Sequence, residues 1–122
     1  MNSNYVPHEG EIIIQFDTDN KQESPLNVAL GKVFSLQISG IKKWYLWNEG
    51  YLSKVKPLNL SFNSCSEDYY PIYSENKSKI IDAFQFLKFE ADEPGTEEIT
   101  IADDSMEVGY EPNICTIKIK VE

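Results

Sequence analysis

Ile80-Ile81-Asp82-Ala83-Phe84-Gln85-Phe86-Leu87-Lys88-Phe89-Glu90-Ala91 is the stretch that admits two readings. As a helix it lines up Ile80, Phe84 and Leu87 on one stripe, and the chain would mix α with β. As a strand it puts Phe84 and Phe86 on one face and Leu87 and Phe89 on the other. A bulge of one residue between Phe86 and Leu87 brings the two pairs to a common face. The strand reading is adopted here, and it makes the chain all-β.

The segments around it support that choice. Downstream, Pro94-Gly95 marks a turn, and Glu98-Ile99-Thr100-Ile101 alternates as a strand. After a loop over 103–113, the chain closes with Cys115, Ile117, Ile119 and Val121 inward and Thr116, Lys118 and Lys120 outward. Upstream, residues 63–79 are polar and carry Tyr69, Tyr70, Pro71 and Tyr73, which reads as a long loop or an irregular hairpin. Leu58-Asn59-Leu60-Ser61-Phe62 alternates, Trp44-Tyr45-Leu46-Trp47 is an aromatic strand, and Val33-Phe34-Ser35-Leu36-Gln37-Ile38 has period two. Glu11-Ile12-Ile13-Ile14-Gln15-Phe16 is the first strand. The expectation is an immunoglobulin-like antiparallel β-sandwich of about seven strands, with no βαβ rhythm. A flexible arm over 1–10 precedes a single domain over 11–122.

The 122 residues, 41% of them hydrophobic, suffice for one core without disulfides. The net charge of −9 argues against binding nucleic acid or an anionic membrane surface. Cys115 reads as a core thiol and Cys65 as a loop thiol, so two free cysteines are expected. No apolar run approaches the length needed to span a bilayer. The N-terminus lacks the hydrophobic stretch of a signal peptide, so a cytoplasmic protein or a processed secreted form is expected. Asn59-Leu60-Ser61 and Asn76-Lys77-Ser78 fit the glycosylation sequon.

Catalytic chemistry finds few residues to use. The single histidine, His8, sits in the arm, and two cysteines with one histidine do not make a tetrahedral zinc site. No phosphate-cradling glycine loop is present. A non-enzyme without cofactor or metal is expected. From Glu90 to Glu111 there are nine acidic residues and neither Lys nor Arg. Asp103-Asp104-Ser105 with Glu107 offers oxygen ligands of the kind calcium takes, against the plainer reading of a solvated acidic face. A docking face for a basic partner is a third reading. Trp44 and Trp47, three apart in a strand, point to opposite faces. Trp47 is assigned to the core. Trp44, beside Lys42-Lys43 at a loop edge, is either a packed residue or an interface anchor.

Residues 26–122 resemble the chagasin-type inhibitors of papain-like cysteine peptidases. Leu26 to Ile38, with Gly31 before an alternating run, is similar to the family's opening strand, and Tyr45-Leu46-Trp47 to its aromatic-small-Trp piece. Phe84-Gln85-Phe86 and Ala91 to Ile101 resemble its later strand, glycine turn and next strand. The resemblance implies a sandwich that blocks a peptidase by inserting three adjacent loops, with no bond chemistry of its own. The central loop would be Gly40-Ile41-Lys42-Lys43-Trp44, the second would lie between Tyr73 and Asp82, and the third near Asp104, Ser105, Met106 and Glu107. The family's Asn-Pro-Thr-Thr-Gly, paired-glycine and Arg-Pro-Trp motifs are absent from these loops. A protein partner, a papain-like peptidase, and a monomeric state are expected. Two other classes fit the same composition: an acidic decoy or immunity-type protein against a basic nucleic-acid-handling enzyme, and a structural or adhesion module.

Overall fold

The computed structural model describes residues 5–7, 9–19, 22–47, 52–59, 68–103 and 113–122. Nine strands and no helix lie among them: β1 Ile12–Gln15, β2 Leu26–Val28, β3 Val33–Ser39, β4 Trp44–Leu46, β5 Val55–Pro57, β6 Tyr69–Tyr73, β7 Ile80–Ala91, β8 Gly95–Asp103 and β9 Ile114–Val121. They form two sheets. The first runs β1-β3-β7-β5, with β6 also paired to β7, and the second runs β2-β9-β8-β4. The all-β sandwich expected from the sequence is borne out. The long ladders β3·β7, β6·β7 and β8·β9 are antiparallel, while the edge pairs β1·β3 and β2·β9 are parallel.

The core is the meeting of two alternations. Phe34, Leu36 and Ile38 of β3 and Leu87, Phe89 and Ala91 of β7 face Ile99 and Ile101 of β8 and Ile117, Ile119 and Val121 of β9. The Phe34 and Phe89 rings stack with centroids 5.6 Å apart. Period two in the sequence thus became two apolar inner faces, whose removal from water is the main stabilising term.

The segment 80–91 is a strand, without the expected bulge between Phe86 and Leu87. Its register with β3 runs unbroken from Val33↔Glu90 to Ser39↔Phe84, and the irregularity falls instead at Ile72/Tyr73 in β6. No bulge is needed because both faces of β7 are covered. Leu87 and Phe89 enter the core, while Phe86 is buried on the outer face under Tyr5, whose ring stacks on it at 4.0 Å and 5°. Tyr70 meets the same Phe86 ring edge-on at 5.9 Å. Beside them, the enclosed Glu11 carboxylate pairs with Lys88 Nζ at 3.5 Å and accepts from the Tyr5 and Ser35 hydroxyls. Lys88 Nζ also lies 4.8 Å from the Tyr5 ring centroid. An enclosed charge is tolerable when paired and hydrogen-bonded in this way.

Other expectations are corrected. The strand near residue 58 is β5, which ends at Pro57; Leu58 and Asn59 follow it, and residues 60–62 lie outside the described residues. Asn59 spans the gap between β5 and β6 along β7, donating to Asp68 and the Phe86 carbonyl and accepting from the Lys88 N–H. Its amide nitrogen is therefore occupied, in contrast to a free sequon. Trp47 is not a core residue: it is 40% exposed, whereas Trp44 is 6% exposed. The register explains the exchange. Leu46 lies opposite the core residue Ile101, so Trp44, two positions earlier, faces inward as well.

Candidate functional site

The β3–β4 connection is only four residues long, and the residues from 40 to 44 are held by four partners, Ala83, Tyr69, Asp103 and Gln85. Gly40 takes φ +124°, a conformation side-chain-bearing residues rarely adopt, and its N–H donates to the Ala83 carbonyl at 2.8 Å. The Ile41 carbonyl accepts from the Tyr69 hydroxyl at 2.8 Å. Lys42 Nζ lies 3.4 Å from Asp103 Oδ2, and Lys43 Nζ lies 5.1 Å from the Tyr69 ring centroid. The Trp44 N–H donates to Gln85 Oε1 at 2.8 Å, while Gln85 Nε2 donates to the Trp44 carbonyl at 2.7 Å.

That last pair is the hinge of the arrangement. Gln85 is fully buried on the inner face of β7, in phase with Ala83, Leu87 and Phe89. Trp47 N–H bonds to the Thr100 carbonyl, so by antiparallel alternation Trp44 directs its own N–H and C=O away from β8. Gln85 reaches across from the opposite sheet and satisfies both. One amide thereby ties the loop to the core.

The neighbouring segments converge on the same end. Asp103 is fully buried. Its carboxylate accepts from the Asn113 N–H at 3.0 Å and from Asn113 Nδ2 at 2.8 Å, closing the neck of the β8–β9 connection. On the other side, β7 begins four residues before its last pairing with β3 at Phe84, so it overshoots by about 13 Å. With β6 it forms a hairpin past the loop, whose tip is tied by Ser74 N–H to the Lys79 carbonyl at 2.9 Å. Asn76 Oδ1 accepts from the Ser78 N–H and from the Ser74 and Ser78 hydroxyls. A cleft of about 840 Å³ runs between these parts, lined by Gly40, Ile41, Lys42 and Trp44, by Ile81 and Asp82, by Asn113, Ile114 and Cys115, and by Thr18 and Asp19.

Of the expected contact residues, Gly40, Ile41, Lys42 and Lys43 form the loop, and Tyr73, 51% exposed, ends β6 next to the tip of the hairpin. Trp44 belongs to the loop but its side chain packs in the core, which removes it as an exposed anchor. Asp104, Ser105, Met106 and Glu107 lie outside the described residues, as do His8 and Cys65. The sequence reading missed Gln85, Asp103 and Asn113 as supports and Ile81 and Ile114 as rim residues. The signals were present: Gln85 is polar on an apolar parity, and Ile114 is apolar on the outward parity of β9.

Cys115 is a free thiol that burial, then the charge of Asp19, pushes up from its ordinary value. Tyr70 is pushed up to about 12 by burial and by the Asp68 carboxylate that accepts from its hydroxyl. Among the described residues no three of His, Cys, Asp and Glu come together as a metal site, and no helix is long and apolar enough to cross a membrane.

By sequence the chain matches no family model and no curated protein. By structure it is similar to the cysteine protease inhibitor EhICP2 from Entamoeba histolytica, with a TM-score of 0.55 and 12% identity over 96% of this chain and 100% of that one. Amebosin is similar at a TM-score of 0.52 and 14% identity, over 91% of this chain and 98% of its own. PbICP-C, solved in complex with falcipain-2, gives a TM-score of 0.46 and 14% identity, over 92% and 89%. The chain shares the fold of EhICP2 and amebosin, the immunoglobulin-like sandwich expected from its sequence.

Proposed function

We propose that this chain inhibits a papain-like cysteine peptidase by occlusion. The loop Gly40–Trp44 enters the substrate cleft, flanked by the β6–β7 hairpin with Tyr73 and by the β8–β9 connection with Asp104, Ser105, Met106 and Glu107. The observation that carries the reading is the held loop: all five residues make contacts to β6, β7 or β8 on a fold shared with a cysteine protease inhibitor. A loop fixed before binding loses little conformational entropy on docking, so more of the contact energy becomes affinity. Lys42 and Lys43 bring their partners Asp103 and Tyr69 with them, which lowers the cost of taking two ammonium groups into a cleft. No bond is made or broken by the chain, and it acts as a monomer on one peptidase.

Progress curves against a panel of papain-like peptidases test this. Dose-dependent inhibition in the nanomolar range is expected, weakened about tenfold or more by Lys43→Glu. Full peptidase activity across the panel at about 10 μM protein would sink the proposal.

A further inference from the structure

The cleft behind the loop has a chemistry of its own. Ile41, Ile81 and Ile114 are 50%, 53% and 53% exposed, and they come from three separate elements. Scattered exposed isoleucines need no explanation, but three on one cleft form an apolar wall. The charges on this cleft are unbalanced. Lys42, its lysine, is spent on Asp103. Asp19 and Asp82 also line it, and neither has a lysine partner among the described residues. The Asp82 carboxylate accepts from the Ala83 N–H. The charge of Asp19 reaches the cleft interior, since it helps to raise the Cys115 thiol.

An apolar wall with uncompensated carboxylates is the complement of a long basic side chain. Its methylene stem covers isoleucine while its head group meets carboxylate. Arginine suits the position better than lysine, because its guanidinium is less strongly hydrated and binds carboxylates through two parallel bonds. The chain's net charge of −9 favours approach of the same kind of group. We propose that the cleft between Asp19, Asp82 and the three isoleucines is a docking site for an arginine side chain presented by the protein that the loop end binds. The inference rests on the proposed function only for the source of that side chain.

The probe is acetyl-Leu-Arg-amide, titrated into the isotope-labelled chain and followed by amide chemical shifts. Saturable shifts are expected at Asp19, Ile81, Asp82 and Ile114, while acetyl-Leu-Glu-amide leaves these resonances in place. The double variant Asp19→Asn/Asp82→Asn, with an unchanged spectrum outside the cleft, should bind the arginine probe about tenfold more weakly or worse. Raising salt to about 0.5 M should weaken binding to the parent chain. Silence toward the arginine probe overturns the inference, as do equal responses to both probes or undiminished binding to the double variant. These readings need no peptidase. A chain that inhibits nothing but passes the titration loses only the proposed function, and an inhibitor that fails the titration loses only this site.

Discussion

Replacing Gln85 with leucine tests the central claim about the site. The side chains are similar in size, so the buried volume is nearly kept. What goes is the amide that serves Trp44 at 2.8 and 2.7 Å. Both Trp44 groups point away from β8, in a residue 6% exposed, so they lose their partners without gaining water. Each unsatisfied buried group costs about 1–3 kcal/mol, and burying leucine instead of an amide returns part of the sum. The net loss should be about 3 kcal/mol, or roughly 10 °C in Tm for a domain of this size. Urea unfolding gives the first number, and hydrogen exchange at the Trp44 amide locates it. Gln85→Glu supplies a control with a defined sign. A glutamate buried here has a folded pKa above its unfolded value, so its penalty relative to the parent is full at neutral pH. It shrinks as pH falls through that raised folded value and is gone by about pH 4, where both states are protonated and the acid can again both donate and accept. A Gln85→Leu chain with parental stability and a protected Trp44 amide would refute the claim that this amide holds the loop.

Three further outcomes are expected. Lys88→Met removes the ammonium that pairs with the enclosed Glu11 carboxylate and should cost about 3–5 kcal/mol in urea unfolding, whereas Lys88→Met with Glu11→Gln should recover most of it. Tyr70 should ionise near 12 in an absorbance titration. Because its folded pKa is raised from 10.0, its contribution is intact below pH 10 and is lost as pH rises through about 12; in Tyr70→Phe that part of the alkaline loss should be missing. Gly40→Ala meets no atom within 4 Å of the new Cβ, so its cost is backbone strain alone, about 1–2 kcal/mol by urea unfolding, with inhibition weakened more than stability.

Much of the fold was legible because both inner faces are written in period two. β3 and β9 read correctly from their alternation, since one face of each meets the core and the other does not. The strand β7 was harder because Phe86 and Leu87 are both buried, and a one-sided reading has to invent a bulge to place them. The missing fact was remote. Tyr5, 81 positions earlier, roofs the outer face, and no local pattern announces a contact of that separation. The tryptophans failed for a related reason. Their opposite parity was readable, but which of them faces inward depends on the register of β4 against β8, a property of two segments more than fifty residues apart.

The loop 40–44 was legible as a connection between two strands, and its resemblance to a family made it the expected contact segment. Its supports were not, because each looks like an error in a binary pattern. A glutamine on the apolar parity of β7, an aspartate ending β8 and an isoleucine on the outward parity of β9 each contradict the local rule for a strand. All three lie at one end of the sandwich, where Gln85 holds Trp44, Asp103 holds Asn113 and Lys42, and Ile114 lines the cleft. A sequence optimised for folding alone would have no reason to collect its exceptions at one end. In a sandwich of this kind, residues that break strand parity near the same loops are therefore better evidence for a working surface than the loop residues themselves. Loops tolerate almost any polar residue, whereas a buried amide persists only if its bonds are made.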